Sequence, residues 1–199
     1  FYKDKGQILS SGVAYEISTP YLTAELFDIK FAQSADVMYL CHPNHDVRKL
    51  SRTGHTSWTL STVSFSGSPA TPISGADNRP SCVSFFEQRL VFANSNNNPQ
   101  TLWFSKSGDY ENMTTGTNAD DAMIYTIASN QVNAIRFLKA QRTLIIGTTG
   151  GEFTVSADGT DAAVTPTNIT IKRQSTFGSA NVDAQPAGNA TLFLQRAKR

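Results

Sequence analysis

The chain has 199 residues, of which 17% are charged, and its 17 Lys and Arg against 16 Asp and Glu leave a net charge of +1. That balance supplies no general electrostatic drive toward nucleic acid or membrane surfaces. Two cysteines, Cys41 and Cys82, are too few for a disulfide framework, and no apolar run approaches the ~20 residues of a membrane-spanning helix.

Phe1-Tyr2-Lys3-Asp4-Lys5 lacks the pattern of a signal peptide and no initiator Met precedes it. Together with a repeat that breaks off near the end, this predicts a fragment of a longer protein. Ile8-Leu9 and Val13 to Ile17 flank Ser10-Ser11-Gly12 and predict two short strands around a turn. Thr19-Pro20 reads as an N-cap followed by Pro at the first helical position, with a turn or two of helix over Leu22 to Phe27. Ile29 to Ala32 and Val37 to Cys41 predict a strand pair joined through Gln33 to Asp36. Val47 to Ser51 and Trp58 to Phe65 continue it, with Trp58, Leu60, Val63 and Phe65 nearly alternating with polar residues.

Ser66 to Arg79, rich in Gly, Pro and Ser, connects to the stretch Asn78 to Met113. There Val83 to Phe86 and Leu90 to Ala93 are strand-length apolar runs around the polar corner Glu87-Gln88-Arg89. Thr101 to Ser105 is a third run, closed by Ser107-Gly108-Asp109. Asn112 to Asp121 is a polar loop before Met123 to Ala128. Ile145 to Val155 contains Gly147-Thr148-Thr149-Gly150-Gly151, a hairpin turn expected to use positive φ, and Val164 to Arg173 holds another alternating strand.

The pattern recurs. Leu50-Ser51-Arg52-Thr53-Gly54, Phe104-Ser105-Lys106-Ser107-Gly108 and Val155-Ser156-Ala157-Asp158-Gly159 share the form apolar-Ser-x-x-Gly. Their serines are 54 and 51 residues apart, close to the ~40–50-residue interval of propeller blades, units that cannot bury their apolar faces alone. The expected fold is therefore all-β and β-propeller-like, built of repeated four-stranded antiparallel blades in one domain or fragment over 1–199. The repeats fall near 29–65, 83–115 and 135–173, with a truncated one from 182. Phe31, Phe85, Phe137, Leu90, Leu144 and Leu192 occupy corresponding apolar runs and are expected to be buried.

Candidate chemistry is sparse. Cys41-His42-Pro43-Asn44-His45-Asp46, with His55 nearby, is the one cluster of metal-type donors, but it has neither C-x-x-C nor H-E-x-x-H spacing. No structural zinc is expected at Cys41, His42 and His45, and Pro43-Asn44 reads as a hairpin turn. Gly147 to Glu152 lacks the Lys-Ser/Thr and the helix of a phosphate loop. Asp120-Asp121 lacks the ligand ladder of a Ca²⁺ loop and reads as solvated acids. Ser51, Ser105 and Ser156 recur without a paired base, which suits a structural role in turn hydrogen bonding. Phe85, Phe86, Phe92, Trp103 and Phe104 read as core aromatics. The expectation is no catalytic, cofactor or metal residue, and no enzyme.

The block Asn78 to Met113 carries Arg79-Pro80, Phe85-Phe86-Glu87-Gln88-Arg89-Leu90, Pro99-Gln100 and Trp103-Phe104-Ser105-Lys106-Ser107-Gly108-Asp109-Tyr110. It resembles the tail tubular, or nozzle, proteins of tailed bacteriophages, especially short-tailed ones. Thr19-Pro20-Tyr21, Ala32 to Asp36, His42-Pro43, Leu50-Ser51-Arg52 and Trp58 fit the same pattern. His45-Asp46-Val47 departs from it, where a Pro-rich step would stand. The resemblance implies a propeller-bearing subunit of a homo-oligomeric ring, a hexamer in the intact tail. It further implies contacts with other tail and adaptor proteins, DNA only in transit through the lumen, no membrane contact, and location in the virion after synthesis in the host cytoplasm. It implies no catalytic residues. The alternative is a propeller module that binds sugar or peptide; a propeller hydrolase is disfavoured because no acid pair or nucleophile–base set stands out.

Overall fold

The computed structural model describes residues 1–67, 69–128, 131–159, 162–188 and 190–197. Lys198 and Arg199, part of the basic cluster at the end of the sequence, lie outside them. Two short hairpins come first, β1 (Tyr2–Lys3) with β2 (Gly6–Gln7) and β3 (Leu9–Ser10) with β4 (Val13–Ala14). The β3–β4 turn is the expected one, with Ser11 and Gly12 both at positive φ.

The predicted helix is present but shifted. It is a 3₁₀ helix over Thr23–Asp28, entered from Leu22. Thr19 and Pro20 lie outside it, so they are not its cap. The Glu25 carboxylate instead reaches back to accept the Leu22 backbone N–H at 2.9 Å, satisfying one of the free amides of the first turn.

Three four-stranded antiparallel meanders follow. The first blade holds β5 (Lys30–Ser34), β6 (Val37–His42), β7 (His45–Gly54) and β8 (Ser57–Thr62). The second holds β9 (Cys82–Phe86), β10 (Arg89–Ala93), β11 (Thr101–Phe104) and β12 (Met123–Thr126). The third holds β13 (Ile135–Ala140), β14 (Leu144–Thr148), β15 (Gly151–Ala157) and β16 (Ile169–Ser175). A last hairpin, β17 (Gln185–Ala187) with β18 (Ala190–Leu192), stands where the truncated repeat was expected. The all-β, repeated-blade architecture read from the sequence is thus present. The second blade runs past residue 115, because the loop from Asn112 to Ala122 lies inside it, between β11 and β12.

The recurring serines fall at the same stage of each meander. Ser51 lies on β7 opposite Val37, the first residue of β6. Ser105 directly follows β11 and bonds to Leu90, near the start of β10. Ser156 lies on β15, one residue past Val155, the partner of Leu144 at the start of β14. Ser105 is fully buried: its Oγ accepts the Leu90 N–H at 2.9 Å and donates to the Lys106 carbonyl at 3.0 Å.

The first strands β5, β9 and β13 lie side by side, with Asp183 to Gln185 completing the lining of a shared space of about 330 Å³. Lys30 Nζ reaches the Arg136 carbonyl across this space and lies 3.3 Å from Asp183. Asn181 Nδ2 donates to Asp28 Oδ1 at 3.2 Å, so the segment before the last hairpin touches the end of the 3₁₀ helix that precedes the first blade.

Two apolar clusters fill the gaps between blades. Leu90, Phe92 and Trp103 pack with Tyr39, Cys41 and Val47 of the first blade. Val91, Leu102 and Phe104 pack with Ile135, Leu144 and Ile146 of the third. Alternate residues of β10 and β11 therefore face opposite neighbours, and every residue of both strands is buried. Ser66 to Arg79 is more than a connection. Ile73 is buried in the first cluster, and the Thr71 carbonyl accepts the Trp103 indole N–H at 2.9 Å.

The expected core positions divide. Leu90, Phe137 and Leu144 are fully buried. Phe85 is half-buried, edge-on to Tyr39 and Tyr110. Phe31 is 60% exposed. It pairs with Leu40 on the face opposite Tyr39 and Cys41, where no blade covers it. Leu192 is 62% exposed, because its hairpin has no third strand among the described residues. The Gly147–Gly151 hairpin forms, but Gly147 has no positive φ. Its need for glycine is steric: a Cβ there would lie 2.1 Å from Cε1 of Phe137, its cross-strand partner.

Two substitutions test the packing. Leu90→Ala empties a fully enclosed site and should lower the free energy of unfolding by ~2–5 kcal/mol in urea titrations. Ser105→Ala strands the buried Leu90 N–H and should cost about 1–3 kcal/mol; an unchanged midpoint for either variant would contradict the two-sided burial described above.

Candidate functional site

The metal-type donors of the sequence separate in space. Pro43-Asn44 forms the two-residue turn between β6 and β7, and His42 pairs across it with His45. Directly opposed residues of an antiparallel pair share one face. The two imidazoles accordingly lie side by side, with centroids 5.2 Å apart. Cys41 turns the other way into the core between the first two blades, where burial raises its thiol pKa. Asp46 accepts from the Gly75 N–H and Arg79 Nε. His55 lies on the exposed side, beside Lys3 and Arg52. Cys41 and Cys82 are both buried free thiols.

A residue that the sequence reading passed over completes the cluster. Glu25, from the 3₁₀ helix, places Oε2 2.8 Å from His45 Nε2 and accepts from Asn44 Nδ2 on Oε1 at 3.0 Å. One donor atom each from Glu25, His42 and His45 lie within 4.8 Å of one another. His42 is 2% exposed; its Nδ1 accepts the Asn44 N–H at 3.1 Å, and its Nε2 is buried without a partner among the described residues. Tyr21 stands edge-on to both rings, with centroids 6.1 Å and 5.0 Å away, and its buried hydroxyl is also unpartnered. The signal for the histidine pair was present in the sequence, as H-x-x-H across a two-residue turn. No local signal points to Glu25, which is 17 residues away from His42.

Electrostatics follow from this packing. The Leu22 amide, then Asn44 and His45, hold the Glu25 carboxyl down at about 2 from an ordinary 4.5. Burial pushes His42 below its ordinary 6.5 and raises Tyr21 to about 12.

The other candidates make contacts within the fold. Asp120 and Asp121 do not stand as free solvated acids: Lys106 Nζ lies 3.0 Å and 3.5 Å from their carboxylates, and Asp121 also accepts the Asn118 N–H. Phe86, Phe92, Trp103 and Phe104 are core. The polar corner hides Arg89, which is 2% exposed and donates to the carbonyls of Ser105, Ala119, Asp120 and Asp121. Glu87 and Gln88 form the turn itself, both in the left-handed region. A cleft of about 730 Å³ between the second and third blades is lined by Glu87, Gln88, Ser107, Arg142 and Ser156 among others, and by no aromatic residue among those described. No family model and no curated protein matches the chain.

The cluster predicts acid sensitivity. Both groups have depressed pKa values in the fold, so the unfolded chain binds the extra protons, and stability falls as pH drops. The His42 contribution is complete above about 6.5 and fades below it; that of Glu25 is complete above about 4.5 and fades toward about 2. In chelator-treated protein, melting curves from pH 8 to pH 2 should show His42→Gln flattening the upper part of the decline and Glu25→Gln the lower.

Proposed function

We propose that this chain is a structural component of a bacteriophage tail, a nozzle or tail-tube subunit that packs against copies of itself and other tail proteins around a DNA conduit. The observation that carries the reading is the use of the residues that resemble the nozzle proteins. Arg89, Ser105, Lys106 and Gly108 bind one another and their neighbours: Gly108 N–H donates to the Gln88 carbonyl, Arg89 to the Ser105 carbonyl, and Lys106 pairs with Asp120. Motif residues spent on holding a blade together suit a scaffold, which needs no catalytic group. Phe27, 99% exposed, with Leu22 just before the helix, Leu26 on it, and Leu192 and Leu194 near the last hairpin, gives the surface apolar area of the kind buried between subunits.

Charge fits a conduit. Lys49, Arg52, Arg79 and Lys106 pair with carboxylates, which leaves fewer cations for phosphate. Tight non-specific DNA binding needs many such contacts and is steeply salt-dependent. Sugar or peptide binding is the alternative: the cleft of about 730 Å³ offers no ring for stacking, whereas a smaller groove beside the β9–β10 turn is lined by Phe85, Phe86 and Tyr110. Among the described residues, no helix is long and apolar enough to cross a membrane.

Mass spectrometry of gradient-purified phage particles should find this chain at tail stoichiometry, and its absence from them would remove the proposal. A titration of labelled duplex should show weak binding at low salt and none near physiological salt. Tight, salt-resistant binding would instead favour a DNA-recognition role.

A further inference from the structure

The cluster beside the β6–β7 turn has a chemistry that the tail reading does not use. We propose that Glu25, His42 and His45 form a binding site for a divalent transition-metal ion, with Zn²⁺ the ion that suits the donors. Two imidazoles and a carboxylate are a zinc-type set, leaving a fourth position for water. The three donor atoms already lie within 4.8 Å of one another, and ligands ~2.0–2.2 Å from a common ion need only small side-chain rotations from there. The spacing argument against zinc assumed that Cys41 and the histidines would be the donors. Cys41 faces the core instead, and the third donor comes from the helix.

An independent observation points to a ligand. His42 is buried, yet its Nε2 meets no partner among the described residues, and the hydroxyl of Tyr21 beside it is in the same state. Buried polar atoms are seldom left so. The negative Glu25 carboxylate, held against His45 and the Asn44 side chain, supplies the charge that a cation needs.

Ligation has a specific cost. A neutral imidazole has one lone pair, and in this structure that of His42 receives the Asn44 N–H at Nδ1. When Nε2 takes the ion, the ring proton moves to Nδ1 and the Asn44 bond is given up. Asn44 is exposed at the turn, so its amide passes to water. His45 likewise carries its proton on Nδ1 once Nε2 exchanges Glu25 for the metal. The ion then pins the 3₁₀ helix to the β6–β7 hairpin.

The test starts from chelator-treated protein titrated with ZnCl₂ by calorimetry. One equivalent should bind; Glu25→Gln should weaken binding at least tenfold, His42→Ala should abolish it, and the exposed His55→Ala should leave it unchanged. Zinc at a hundred times its Kd should raise the folded-to-unfolded ratio about a hundredfold, seen as a higher Tm. In ¹H–¹⁵N spectra the Asn44 amide should shift on saturation. Absence of binding, binding lost in His55→Ala, or binding equal in Glu25→Gln and the parent would overturn the assignment. Glu25→Gln decides the matter should His42→Ala fail to fold.

Discussion

The second blade has no solvent face, and the rest of the structure depends on that constraint. Leu90, Phe92 and Trp103 need the first blade to exclude water, and Val91, Leu102 and Phe104 need the third. At roughly 25 cal/mol per Å² of apolar surface, burying both sides of one small sheet is the dominant favourable term available here. It also imposes a demand, since each polar atom within the layer must find a partner. The Trp103 indole meets the Thr71 carbonyl, the hydroxyls of Thr101 and Thr126 meet at 2.8 Å, and Ser105 serves the Leu90 amide. Arg89 answers the same demand with one guanidinium for four carbonyls, which fixes the loop that returns to β12.

Blade-to-blade polar contacts set the order in which these sheets stack. Glu111, in the loop after β11, accepts from both Tyr39 and Lys49 of the first blade. Glu87, at the turn of the second, accepts the Val164 N–H ahead of β16. Lys30 closes the inner side by reaching the backbone of the third blade and Asp183. A scaffold so joined resists sliding of one blade past the next.

The N-terminal segment works differently. Phe1 stacks on Trp58 at 4.3 Å, the Tyr15 hydroxyl accepts the Trp58 N–H, and Leu26 with Ile29 approaches Leu40, Leu50 and Leu60. It stands in for a neighbouring blade on the outer face of the first. Coverage is partial, which leaves Phe31 in solvent and brings Glu25 against the histidines of the hairpin tip.

Period, turns and strand chemistry were legible in the sequence because they are local. Glu87-Gln88 at the β9–β10 turn and Ser11-Gly12 between β3 and β4 are polar breaks between apolar runs, and Ser51, Ser105 and Ser156 recur in or just after the third strand of each meander. The opposed pair His42 and His45 follows in the same way from a two-residue turn. What faces what did not follow. Phe31 and Phe137 sit in similar apolar runs, yet one is exposed and the other covers Gly147, with Phe193 of the later chain beside it. Arg89 read as part of a polar corner between two apolar runs, and its burial depends on the returning loop at Ala119 to Asp121. Nothing local marked Glu25, and its place beside two imidazoles depends on where the helix rests on the first blade. Local preference acts through neighbours in the chain, so the sequence by itself determined the blades; burial and charge act through neighbours in space, so only their stacking decided the core and the cluster.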